Sequence, residues 1–163
     1  MFLRRWIHDA AVTRAFYGSV VYASVVTVMA AEDQQPPAQT AMAAVAGTAL
    51  ILYVAHGFSE LVPRIVHAGR LTGGDLAHVA AMEVPLLLVA LVPILPLAAA
   101  SIGVLDLSTG YRWSVGLTVA ALFVLAIAFC VRDGLSWSRS LVAALSIVAA
   151  TAVVIYLEAL VSH

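Results

Sequence analysis

Residues 41–64 read AMAAVAGTALILYVAHGFSELVPR, an apolar run of small and branched side chains that closes on three ionisable residues, His56, Glu60 and Arg64. A helix needs about 20 such residues to cross the ~30 Å hydrocarbon core of a bilayer, and this run supplies them. At helical spacing Tyr53, His56, Glu60 and Arg64 fall on one face. The stretch therefore reads as a membrane-spanning helix with a polar stripe running in from one end. That stripe poses the functional question for the whole chain.

Composition extends the reading to the rest of the molecule. With 63% hydrophobic and only 10% charged residues and a mean hydropathy of +1.04, the chain lies outside the range of soluble globular domains. Its 163 residues accommodate about five crossings of roughly 20 residues each, with short connections and no separate soluble domain. The expected fold class is an all-α membrane protein, a single polytopic domain over residues 1–163 built as a bundle of about five transmembrane helices. The single cysteine, Cys130, sits inside an apolar run. It offers neither a disulfide framework nor a thiolate metal site, and reads as a small apolar filler.

Working outward, the spans are expected at 15–31, 39–62, 76–104, 113–131 and 140–161. Before the first, residues 2–13 place Phe2, Leu3, Trp6, Ile7 and Ala10 at helical spacing, which predicts an interfacial helix with Trp6 as anchor and Arg4 and Arg5 on lipid phosphates. A secretory signal peptide is the competing reading. It is set aside because Asp9 and Arg14 interrupt the basic region and the apolar run exceeds the usual ~7–15 residues. Pro36-Pro37 bars a new helix before Ala38. Ala43 and Gly47 form a small-residue notch suited to close helix packing.

Pro63 is expected to end the second span, with 64–75 (RIVHAGRLTGGD) as a loop and Asp75 as the N-cap of the third. That third helix carries Glu83, Pro85, Pro93 and Pro96. Prolines free backbone carbonyls that hydrocarbon cannot satisfy, so the helix should pack inward and wall any cavity. Tyr111, Trp113 and Trp137 suit the interfacial aromatic belt. Arg4, Arg5, Arg14, Arg64, Arg70, Arg132 and Arg139 fall on one side of this layout and Arg112 alone on the other. The positive-inside rule then places the N-terminus in the cytoplasm, and the expected location is the plasma membrane, as a multi-pass chain.

An ionisable side chain near the bilayer centre costs at least ~2.5–3.5 kcal/mol, so each needs a reason. His56, Glu60 and Glu83 are expected at similar depth in the cytoplasmic half, with Tyr53 and Arg64 on the same stripe, His78 at its mouth, and Glu158 near the far end of the last span. Two readings stay open. In one, His56, Glu60 and Glu83 line a water-accessible path for protons or ions. In the other they are structural: Glu60 pairs with Arg64, Glu83 with an arginine or a freed backbone group, and His56 with a helix carbonyl.

A third reading makes His56, Glu60 and Glu83, with His78, the ligands of a metal-dependent membrane enzyme. No HExxH, GxSxG, CxxC, Rossmann or Walker pattern supports an enzyme, no cofactor is implied, and no basic patch suits nucleic acid. The function classes are thus an ion or proton conduit or transporter, an accessory or scaffold subunit without catalysis, and the metal enzyme. Expected partners are the lipid bilayer and a second copy of the chain or another membrane protein.

Tyr17-Gly18, Ala55-His56, Glu83-Val84-Pro85 and Gly134-Leu135-Ser136 give the chain a resemblance to a group of small actinobacterial integral membrane proteins. The resemblance implies a small helical membrane protein and brings no activity with it. It singles out His56 and Glu83 ahead of Glu158.

Overall fold

The computed structural model describes the backbone of residues 2–32, 34–132 and 134–161, with side chains except at 2–10, 67–68, 154–155 and 157–161. The described residues form five helices and no strand: α1 (Phe2–Ala31), α2 (Ala38–Ala68), α3 (Gly73–Ser101), α4 (Leu107–Arg132) and α5 (Trp137–Val161). α1 to α4 each contain a segment long and apolar enough to cross a membrane. In α5 the stretch Trp137–Val153 is apolar but shorter. α1, α3 and α4 pack on one another at the centre, α2 lies against α3 and α1, and α5 lies against α4 and α1.

Several helix ends differ from the sequence expectation, each for a local reason. The interfacial stretch 2–13 is helical but continuous with the first span, because no glycine or proline interrupts residues 2–17. The anchoring role of Trp6 lies outside the described side chains, as do Glu158 and His67. Pro63 does not end α2. The helix runs one more turn to a left-handed Gly69 (φ 67°), whose N–H bonds the Ile65 carbonyl. A left-handed glycine is the common C-terminal stop, and it outweighs the proline here.

α3 starts at Gly73 through a capping box in which Thr72 is the N-cap and Asp75 the third residue, not the cap itself. The Asp75 N–H donates to Thr72 Oγ1 at 3.3 Å and the Thr72 N–H to Asp75 Oδ2 at 3.0 Å. Its other end closes in a Schellman-type turn, with Gly103 at φ 76° and the Val104 N–H on the Ala99 carbonyl. Asp106 then precedes α4. Hydrogen bonds from Thr109, side chain and backbone, and from Ser108 hold its carboxyl below the usual aspartate value. That contribution is complete above the ordinary value and is lost as pH falls through the depressed one.

α3 stays a single helix through Pro85, Pro93 and Pro96, and each neighbour ties to it by one hydroxyl. From α1, Tyr22 donates to the Leu86 carbonyl at 3.0 Å; from α2, Tyr53 donates to Ala80 at 3.2 Å; from α4, Ser114 donates to Pro93 at 2.8 Å. Lipid tails are as apolar as leucine, so helices in a membrane are held by such bonds and by close van der Waals contact. The close contacts fall at Gly18, where an added Cβ would lie 3.1 Å from Leu86 Cδ2, and at Gly110, where it would lie 2.7 Å from the Ala100 Cβ.

The Ala43–Gly47 notch is not among these contacts: both residues are exposed and nothing approaches Gly47 within 4 Å. Tyr111, expected in the interfacial belt, is buried instead. Its hydroxyl reaches the Pro36 carbonyl at 3.0 Å and fastens α4 to the α1–α2 connection. Trp113 is exposed, as a belt residue would be, and Cys130 is buried and free. The core at the Pro36 end is apolar, built from Tyr22, Val26, Ala41, Val45, Ala49, Leu97 and Tyr111. Toward the other end Arg14, Ser19, Glu83 and Ser140 are buried as well, while Ser114 and Thr151 are buried nearer the Pro36 end.

Candidate functional site: a three-helix ion cluster

Arg14, near the arginine-rich end of α1, is buried. Its Nε lies 2.7 Å from Glu83 Oε1 on α3, and its Nη2 3.2 Å from Glu60 Oε1 on α2. One guanidinium thus spans two carboxylates and joins three helices. Measured along each candidate span at 1.5 Å per residue, Glu83 lies about 6 Å, Arg14 about 10 Å and Glu60 about 12 Å from the span's midpoint, all on the same side. The cluster therefore falls within the half-thickness of a ~30 Å core, where a lone charge would be costly.

The two carboxylates have different surroundings. The Glu83 side chain is 0% exposed, whereas that of Glu60 is 45% exposed. Val79 and Leu86, one turn before and one turn after Glu83, are fully buried on the same face of α3. Neither Glu83 oxygen accepts a well-aligned hydrogen bond and Arg14 Nη1 has no acceptor, so among the described residues the pair is held by charge rather than by a saturated fork.

The other residues of the expected stripe take separate partners. His56 Nδ1 lies 3.1 Å from the Leu52 carbonyl, and its ring meets that of Tyr17 at 5.3 Å and a 51° tilt. Tyr53 is tied to α3 as described. Arg64 does not pair with Glu60 but stands 3.9 Å from Asp75, bracing the α2–α3 connection. His78 is exposed and acts on Asp75 rather than joining the cluster. Among the described residues no group of three or more His, Cys, Asp and Glu side chains is placed to hold a metal ion. Arg14 already lies against both carboxylates that the metal reading would use.

Arg14 is the residue that sequence reasoning missed, because the first span was started at Ala15. A signal was available. Glu60 and Glu83 both need a cation at their depth, and Arg64, one turn beyond Glu60, lies too far out for Glu83. His56 is a lesser contributor: His56→Ala should cost at most about 1 kcal/mol in detergent unfolding, the worth of one aromatic contact with little new buried polarity. Comparison with protein-family models, with curated proteins and with solved structures brings no match to this chain.

Proposed function

We propose that this chain is a non-catalytic membrane subunit, an accessory or scaffold bundle, in which the ion cluster locks α1, α2 and α3 together. The observation that carries this reading is the single guanidinium shared by Glu60 and a fully enclosed Glu83. An arginine stays protonated at any physiological pH and has no acceptor atom. Placed between the half-exposed Glu60 and the interior Glu83, it repels an entering cation and cannot relay a proton onward. In this reading the protein sits in the plasma membrane with five spans and a cytoplasmic N-terminus, and works in a homo-oligomer or beside another membrane protein.

The conduit reading has one observation in its favour. Glu60 is half-exposed and touches Arg14, which touches Glu83, so polar contacts run continuously from the surface to the interior. A flux assay separates the two. Purified protein in liposomes carrying a pH-sensitive dye should leak protons no faster than protein-free liposomes. A flux above that level which falls on Glu83→Gln or His56→Ala establishes the conduit and removes the scaffold reading.

The orientation has its own test. Cysteines placed at Gln35 and Ser108 should react with an impermeant maleimide from outside intact cells, and those at Gly69 and Ser136 only after the membrane is opened. Labelling of Gly69 from outside contradicts the proposed topology.

A further inference from the structure

A groove of about 480 Å³ runs along the last two turns of α4 to the start of α5, walled by Val124, Ile127, Ala128 and Val131 and ending at Arg132 and Trp137. The walls are apolar, Val124 and Ala128 face outward from the bundle, and Trp137 is 62% exposed. From Val124 to Arg132 the groove follows about 12 Å of helix, the scale of the upper part of a lipid acyl chain. Its charged end lies at the arginine-rich side of the bundle, at the level where a tryptophan ring prefers the headgroup region.

We propose that this groove binds an anionic phospholipid, with an acyl chain against Val124, Ile127, Ala128 and Val131 and the headgroup phosphate on Arg132. The apolar walls lie at membrane depth and face outward, so lipid is the occupant at hand. Charge complementarity selects among lipids: a guanidinium at the headgroup level favours a net negative headgroup over a zwitterionic one. Arg132 already takes part in an interaction within the chain. A guanidinium carries five N–H donors, so a phosphate can join that contact rather than displace it. Trp137 closes the mouth and stands beside the glycerol region. The proposal is independent of the ion cluster, which lies on other helices.

Native mass spectrometry in mild detergent tests it, using an equimolar mixture of phosphatidylglycerol and phosphatidylcholine with identical acyl chains. Wild-type protein should retain phosphatidylglycerol about five-fold over phosphatidylcholine, the preference one arginine near the surface provides. Arg132→Gln should bring the ratio to near one while retaining the fold by circular dichroism. Ala128→Trp, which fills the groove from its exposed side, should reduce adducts of both lipids. Arg112→Gln, at the opposite end of the bundle, should leave the preference as it is. Equal retention by the wild type, or a preference that survives Arg132→Gln, overturns the proposal.

Discussion

Arg14→Gln is expected to destabilise the bundle by about 3–5 kcal/mol, the cost of removing one partner from a buried ion pair. The reason lies with what is left behind: a Glu83 carboxylate with no exposure, between Val79 and Leu86, without the guanidinium that lies against it. Glu83→Gln should cost less, about 1–3 kcal/mol, since Arg14 keeps its 3.2 Å contact with the half-exposed Glu60 and the amide is cheaper to enclose than a lone charge. Denaturant titration in mild detergent, followed by circular dichroism, reads both. A larger loss from Glu83→Gln than from Arg14→Gln would reverse the assignment of which charge is the more deeply committed.

The second large effect is expected at Gly110, where α4 packs closely on α3. A methyl group there would stand 2.7 Å from the Ala100 Cβ and 3.3 Å from the Pro96 carbonyl oxygen, and neither is the movable end of a long side chain. The helices must part to admit it. Gly110→Val should therefore cost about 1–3 kcal/mol or more, and strain the Ser114 bond to the Pro93 carbonyl one turn away. Gly47→Val provides the contrast: Gly47 has open space around it, so the change should stay within about 0.5 kcal/mol. Thermal melts of the two variants side by side distinguish close packing from a general intolerance of valine in these helices.

The existence of the helices was legible because it depends on composition summed over long runs, and an apolar run of spanning length has few alternatives. Their ends were less so. Pro63 was read as a stop because a proline removes one backbone bond, yet α2 continues to Gly69, where a left-handed conformation ends it. The start of α1 is less legible for the opposite reason: Asp9 and Arg14 interrupt the apolar run, yet nothing in residues 2–17 breaks the helix. A first span started at Ala15 hides Arg14.

The candidate site was legible in part. Local spacing identified Tyr53, His56, Glu60 and Arg64 as one stripe, and the depth argument singled out Glu83. Partner choice was not legible, because it depends on how helices rotate about their axes. The i,i+4 pair Glu60 and Arg64 gives way to contacts across helices, with Arg64 against Asp75 and Glu60 against a residue 46 positions away. The three tethers to α3 carbonyls were equally hidden, since a backbone carbonyl acceptor leaves no mark in a side-chain pattern. Expecting α3 to pack inward was enough to place it at the centre, but not to name Tyr22, Tyr53 and Ser114 as its ties.

A double-mutant cycle between Arg14 and Glu83 tests most directly whether their charges act as one structural lock. Unfolding free energies of the wild type, Arg14→Gln, Glu83→Gln and the double variant give the coupling. A direct buried pair should make the double variant lose about 2 kcal/mol less than the sum of the two single losses. Losses that add to within about 0.3–0.5 kcal/mol would mean that the two residues do not stabilise one another, and would contradict the lock.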